Sequence, residues 1–248
     1  FLGGPAADVA VAAARLGLST AVITRTGADS FGAYLHQTLT ESGVDNRWVT
    51  RVTDSSTPVT GAPDLEIHTD ELDYFAIRAA RIFWITGTGL SAEPSRSATL
   101  AALKCRGRAG TTVLELDWRP APRNDTARTD PAEARPDYSE ALRHATVAVG
   151  ELDACGIATG VREPHACAEA LLAAGVELAV VKRGPKGVLA VHRDGTTAEV
   201  PPVAVEAVDG AGDAFGGALC HGLLSGWELE RTVRHAHTAR APLNGNPR

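Results

Sequence analysis

The chain has 248 residues, of which 44% are hydrophobic and 22% charged, and a formal net charge of −6. This length suits one large α/β domain with a full core, and the acidic balance excludes the basic footprint that a nucleic-acid partner requires. No apolar run approaches the ~18 residues of a membrane span and no secretory leader is expected, so the sequence predicts a cytoplasmic protein without membrane or nucleic-acid partners.

In chain order, helix-like and strand-like segments alternate. Val9, Ala12, Ala13 and Leu16 make one face of a helix that Gly17 stops. Thr20 to Thr24 reads as a short strand. Phe31, Leu35 and Leu39 mark a second helix ending at Gly43. Arg81 to Thr86 predicts a buried strand, Glu93 to Arg106 a helix and Thr111 to Leu116 another strand. Arg119 to Asp137 holds four prolines and many charges and predicts a mobile loop. Val147 to Val149, a helix from His165 to Ala174 stopped by Gly175, and Leu178 to Lys182 repeat the pattern. Val188 to His192 and Thr197 to Val200 flank an Asp194-Gly195 turn and predict a hairpin. Asn244 to Arg248 reads as a frayed tail. The alternation implies right-handed crossovers and a three-layer α/β fold, a largely parallel sheet flanked by helices. Cys105, Cys155, Cys167 and Cys220 lack metal-ligand spacing and are expected to be free thiols. His235 and His237 stand two apart, a spacing that places them on opposite sides of a helix.

The residues richest in chemistry come late. The apolar segment Pro202 to Val208 runs into Gly210-Ala211-Gly212-Asp213-Ala214-Phe215, after which Phe215, Leu219 and Leu223 repeat four apart. A glycine turn opening a helix presents unpaired N–H groups at the positive end of the helix dipole, which makes an anion site suited to phosphate. A carboxylate at that spot does not attract phosphate. Asp213 either accepts a proton from a hydroxyl attacking phosphorus or merely complements the helix dipole.

Gly210 to Phe215 resembles the signature of the ribokinase-like (PfkB) carbohydrate kinases. Gly3-Gly4-Pro5-Ala6-Ala7-Asp8-Val9-Ala10 through Gly17 is similar to that family's first signature, and Thr26-Gly27-Ala28-Asp29-Ser30-Phe31-Gly32 to its next. Leu116-Asp117-Trp118-Arg119-Pro120 and Val181-Lys182-Arg183-Gly184-Pro185-Lys186-Gly187 also fit. Within the family the likeness is to the kinases acting on 5-dehydro-2-deoxygluconate in myo-inositol breakdown. The resemblance implies a kinase domain over 1–243 with a tail at 244–248. It implies ATP with Mg²⁺ as cofactors and a small sugar acid as partner. Asp213 is the implied base, and Gly210, Ala211 and Gly212 cradle the phosphate. By the same resemblance Lys182, Gly184 and Gly187 are expected to contact the nucleotide. Gly3, Gly4, Asp8, Asp117 and Arg119 bind the acceptor, with Arg119 suited to a carboxylate by its planar fork; on its own, Arg119 reads equally as a surface-loop arginine.

The sequence departs from the family at ligand-facing positions. The family's preceding first strand is absent before Gly3-Gly4, which should leave an unpaired strand edge. The lid is reduced near 57–66. Ala207 stands where the family usually has a polar residue, Asp209 directly precedes Gly210 with two residues missing from the loop, and Glu151-Leu152-Asp153-Ala154 replaces an Asn-x-x-Glu element used around metal and phosphate, so the metal ligands stay open with Glu151 or Asp153 as substitutes. These departures keep a second expectation alive, a catalytically impaired kinase remnant that binds nucleotide or sugar without turnover. Homo-oligomerisation has no support in the sequence.

Overall fold

The structure is a computed structural model that describes residues 4–53, 63–117, 131–202 and 211–239. Its elements in chain order are α1 (Pro5–Arg15), β1 (Thr20–Gly27), α2 (Ser30–Glu41), β2 (Val44–Val52), α3 (Tyr74–Ala79), β3 (Ile82–Thr86), α4 (Ser95–Arg106), β4 (Thr111–Leu116), α5 (Arg135–His144), β5 (Val147–Glu151), α6 (Leu152–Thr159), α7 (Pro164–Ala174), β6 (Leu178–Lys182), β7 (Val188–His192), β8 (Thr197–Val200), α8 (Ala211–Leu224) and α9 (Leu229–Thr238). They form two compact units, one of residues 1–53 with 200–248 and the other of residues 54–199.

The first unit contains the parallel pair β1–β2, with Thr20 opposite Val44 and Gly27 opposite Val52. Val22, Val44 and Val49 pack with Val11 of α1 and Leu39 of α2 into one apolar cluster. Asp29 caps α2, its carboxylate accepting from the Gly32 N–H at 2.8 Å. α8 packs on α1 and on α9.

The second unit carries the sheet ordered β3-β4-β5-β6-β7-β8. β3 to β6 are parallel and β7 is antiparallel to β6. β4, β5 and β6 are buried along almost their whole length, as expected for parallel strands covered on both faces. Their core includes Leu114, Leu116, Ala148, Ala179 and Val181 with Leu142 of α5 and Leu171 of α7. The α/β architecture is as the sequence predicts. Among the described residues β1 pairs with β2 only, and β3 pairs with β4 only.

Three segments correct the sequence reading. The predicted loop from Arg119 to Asp137 ends early, because Pro131–Ala134 forms a 3-10 turn and α5 begins at Arg135. Pro136 lies in the first turn of α5, where its missing N–H removes no helical bond. β2 and α6 were not anticipated at all. β2 is polar along most of its length, with only Val44 and Val49 buried, and α6 is apolar nearly all round, which hides a helical stripe. Residues 118–130, 203–210 and 240–248, as well as most of the reduced lid (54–62), lie outside the described residues, so the expectations placed on them stand apart from the structure.

The four cysteines are free, and burial pushes the thiols of Cys155 and Cys167 up. No described helix is long and apolar enough to cross a membrane. On α9, the His235 ring lies 5.4 Å from His221 and 5.1 Å from Trp227. Burial, then the neighbouring His221 and Arg231, lower the pKa of His235. Burial likewise lowers His237, partly offset by its bond to Pro201, and burial with Arg51 lowers His36. All three belong to the first unit. As pH falls through about 6.5 the unfolded chain binds protons at these positions while the folded chain resists them. The contribution of these three groups to stability is therefore full above pH ~7.5 and declines between about pH 7 and 5. Urea midpoints measured from pH 8 to 5 should fall in that window, and the triple variant His36→Gln, His235→Gln, His237→Gln should flatten the curve.

Candidate active site

Gly4 precedes α1 in extended conformation, with φ −174° and ψ 140°, and Pro5 occupies the first turn. The Asp8 N–H donates to the Gly4 carbonyl at 3.1 Å, and Asp8 is 3% exposed. α8 opens at Ala211, with Asp213 in its first turn. Gly212 is exposed and Asp213 half-buried, while Ala214, Phe215, Ala218 and Leu219 are buried. The first N–H groups of a helix lack intrahelical acceptors, so the start of α8 offers donors beside a carboxylate. Gly3 and Gly210 lie outside the described residues.

The two helices meet at Gly217. A Cβ there would stand 2.7 Å from the Ala12 Cβ and 2.7 Å from the Ala13 nitrogen, inside any tolerable contact. Asp213 precedes Gly217 by four residues and Asp8 precedes Ala12 by four. Residues four apart share a helix face. Each residue thus stands one turn N-terminal to the crossing on its own helix.

In the second unit, the carboxyl ends of the parallel strands form a polar edge, the usual ligand side of such sheets. Lys182 ends β6 in register with Glu151 at the end of β5, and the Lys182 Nζ lies 3.3 Å from a Glu151 carboxylate oxygen. Only 12% of the Lys182 side chain is exposed, against 59% of Glu151. Gly184 and Gly187 bracket a 3-10 turn just beyond, both with positive φ, +54° and +83°, a conformation that side chains disfavour. Arg183 in this turn pairs with Glu199 at 2.6 Å.

Asp117 follows β4, and its partner is one the sequence does not flag. Thr88, in the 3-10 turn Gly87–Leu90 after β3, donates its N–H to Asp117 Oδ1 at 2.9 Å and its hydroxyl to Oδ2 at 2.7 Å. Glu115, two residues earlier on β4, is buried and accepts from the Trp84 indole at 3.2 Å. The signals for these groups were present in Thr86-Gly87-Thr88-Gly89 and in the alternating acids Glu115 and Asp117, but nothing local says that they pair. Arg119 lies outside the described residues. Among the described residues no group of three His, Cys, Asp or Glu side chains could hold a metal.

A helix that opens at Ala211-Gly212 and carries a carboxylate in its first turn has the donors and charge suited to handling phosphate. The sequence profile of the "pfkB family carbohydrate kinase" matches residues 1–241. The chain is 32% identical to "5-dehydro-2-deoxygluconokinase" of Photobacterium profundum over 97% of its own length and 79% of that protein's. Its fold superimposes on aminoimidazole riboside kinase from Salmonella enterica with a TM-score of 0.79 at 22% identity, covering 97% of this chain and 86% of that one. Fructokinase from Vibrio cholerae O395, solved with fructose, ADP and calcium ion, gives a TM-score of 0.77 at 25% identity, over 94% and 80%. The chain belongs to the pfkB family of carbohydrate kinases, and the reaction it catalyses is phosphoryl transfer to an alcohol group of a sugar.

Proposed function

We propose that the chain transfers the terminal phosphoryl group of ATP to a hydroxyl of 5-dehydro-2-deoxygluconate, as part of myo-inositol breakdown. The observation that carries this reading is Asp213 in the first turn of α8, half-buried and one turn before the Gly217 contact. The substrate rests on the curated relatives bearing that kinase name. Asp213 accepts the proton as the acceptor oxygen bonds to phosphorus and the bridging oxygen departs with ADP. The N–H groups of Ala211, Gly212 and Asp213, with Gly210, hold the transferring phosphate. Lys182, Gly184 and Gly187 serve the nucleotide. Gly3, Gly4, Asp8, Asp117 and Arg119 serve the acceptor, Arg119 as the partner of its carboxylate. ATP supplies the phosphoryl group, and the exposed Gly212 at the start of α8 is suited to its phosphate. Mg²⁺ offsets phosphate charge. Glu151 and Asp153, at the position of the family's metal- and phosphate-side element, are the candidates to support the ion alongside phosphate and water oxygens.

The test follows ADP release from Mg·ATP with 5-dehydro-2-deoxygluconate, ribose and fructose as acceptors. The keto-deoxy acid is expected to give the highest kcat/KM. Faster turnover of ribose or fructose overturns the substrate and keeps the family. ADP release that no acceptor stimulates identifies an impaired remnant instead.

A further inference from the structure

We infer that Thr88 is a positioning residue: it fixes the Asp117 carboxylate, and through it the acceptor-binding end of β4, for the reaction proposed above, on which this inference rests. The two residues stand 29 apart in sequence, yet Thr88 meets both carboxylate oxygens, the N–H at 2.9 Å and the hydroxyl at 2.7 Å. Two bonds from one residue to the two oxygens set the plane of the carboxylate as well as its place.

The turn that carries Thr88 is itself held on three sides. The Ser91 hydroxyl donates to the Thr88 carbonyl at 2.7 Å. A Cβ on Gly87 would meet the Tyr138 hydroxyl at 2.3 Å, and one on Gly89 would meet Thr99 Oγ1 at 2.6 Å. Tyr138 is 1% exposed and belongs to the core under α5. The donor pair is thus anchored to buried structure, while Thr88 and Asp117 are themselves half-buried. A tie needed only to join β3 to β4 would be redundant, since those strands already pair in register from Ile82–Thr111 to Thr86–Glu115. The Thr88 bonds begin where that ladder stops and act on Asp117, two residues beyond it.

The purified full chain is assayed as wild type, Thr88→Val, Thr88→Ser, Asp117→Asn and the double variant Thr88→Val/Asp117→Asn. KM for the acceptor, KM for ATP and thermal midpoint are recorded for each. Thr88→Val is expected to raise the acceptor KM about tenfold or more, the loss of one charge-assisted bond, with the ATP KM unchanged. Thr88→Ser is expected to stay within about twofold of wild type, because the hydroxyl remains. The double variant is expected to be no worse than Asp117→Asn alone, because Thr88 acts through Asp117. A lowered midpoint with unchanged acceptor KM overturns the inference in favour of a purely structural tie, as does a double variant whose losses multiply. Wild type active and Thr88→Val indistinguishable from it sinks the Thr88 role and leaves the function. Wild type without acceptor-dependent turnover sinks the reaction and, with it, this role.

Discussion

Replacing Asp213 with asparagine is expected to cut turnover about a thousandfold, within the range that a positioned proton acceptor contributes, while nucleotide affinity stays within a few-fold. Asparagine keeps the shape of the side chain and the start of α8, so the N–H groups that face a phosphate are retained. What it removes is the ability to take a proton. Steady-state kinetics and nucleotide titration on the same preparation separate this from the competing role. If Asp213 only complements the dipole of α8, the variant loses about 0.3–1 kcal/mol of stability and keeps its rate. Joint loss of turnover and nucleotide binding would make Asp213 structural and remove the base from the proposal.

Arg106→Met should produce the largest loss of stability. Arg106 ends α4 and is 0% exposed. Its guanidinium donates to the Ile77 carbonyl at 2.8 Å and the Arg78 carbonyl at 2.7 Å, and at longer range to the Arg81 and Thr111 carbonyls and the Thr112 hydroxyl. Burial, then Arg78, lowers its pKa. These neutral acceptors tie the end of α3 to the starts of β3 and β4. Methionine fills similar volume and leaves those acceptors unsatisfied beside a core residue, Ile77, that is 1% exposed. The expected cost is about 3–5 kcal/mol, a fall in thermal midpoint of roughly 10 °C for a chain of this size. Arg106→Lys should recover only part of it, since an ammonium cannot reach several carbonyls with a planar fork. A loss under about 1 kcal/mol would mean that water replaces the guanidinium.

The legible parts of the fold were those where one local rule dominates. β4, β5 and β6 are apolar runs buried on both faces, and such runs announce themselves. α8 was readable because glycines, an acid and residues four apart coincide, and Phe215 and Leu219 are indeed buried. β2 escaped because Asp45, Asn46, Arg47 and Arg51 make it look like a loop. α5 escaped because Arg135-Pro136-Asp137 carries the residues of a turn, and only its packing, with Tyr138, Ala141 and Leu142 inward, reveals a helix. At the candidate site, Asp213 and Lys182 follow from local pattern. Thr88 and Asp117 join across a sheet, and no window of sequence contains both.

The Gly217 contact sets a limit on how this enzyme can vary. Where α1 and α8 touch, hardly more than bare main chain separates them, and there is no side chain to trim or swell as an adjustable spacer. The spacing of the backbone at Asp8 and at Asp213 is then inherited from the close packing of two helices. A residue larger than glycine at 217 would force the two helices apart, so variation at this contact reaches both helix starts at once.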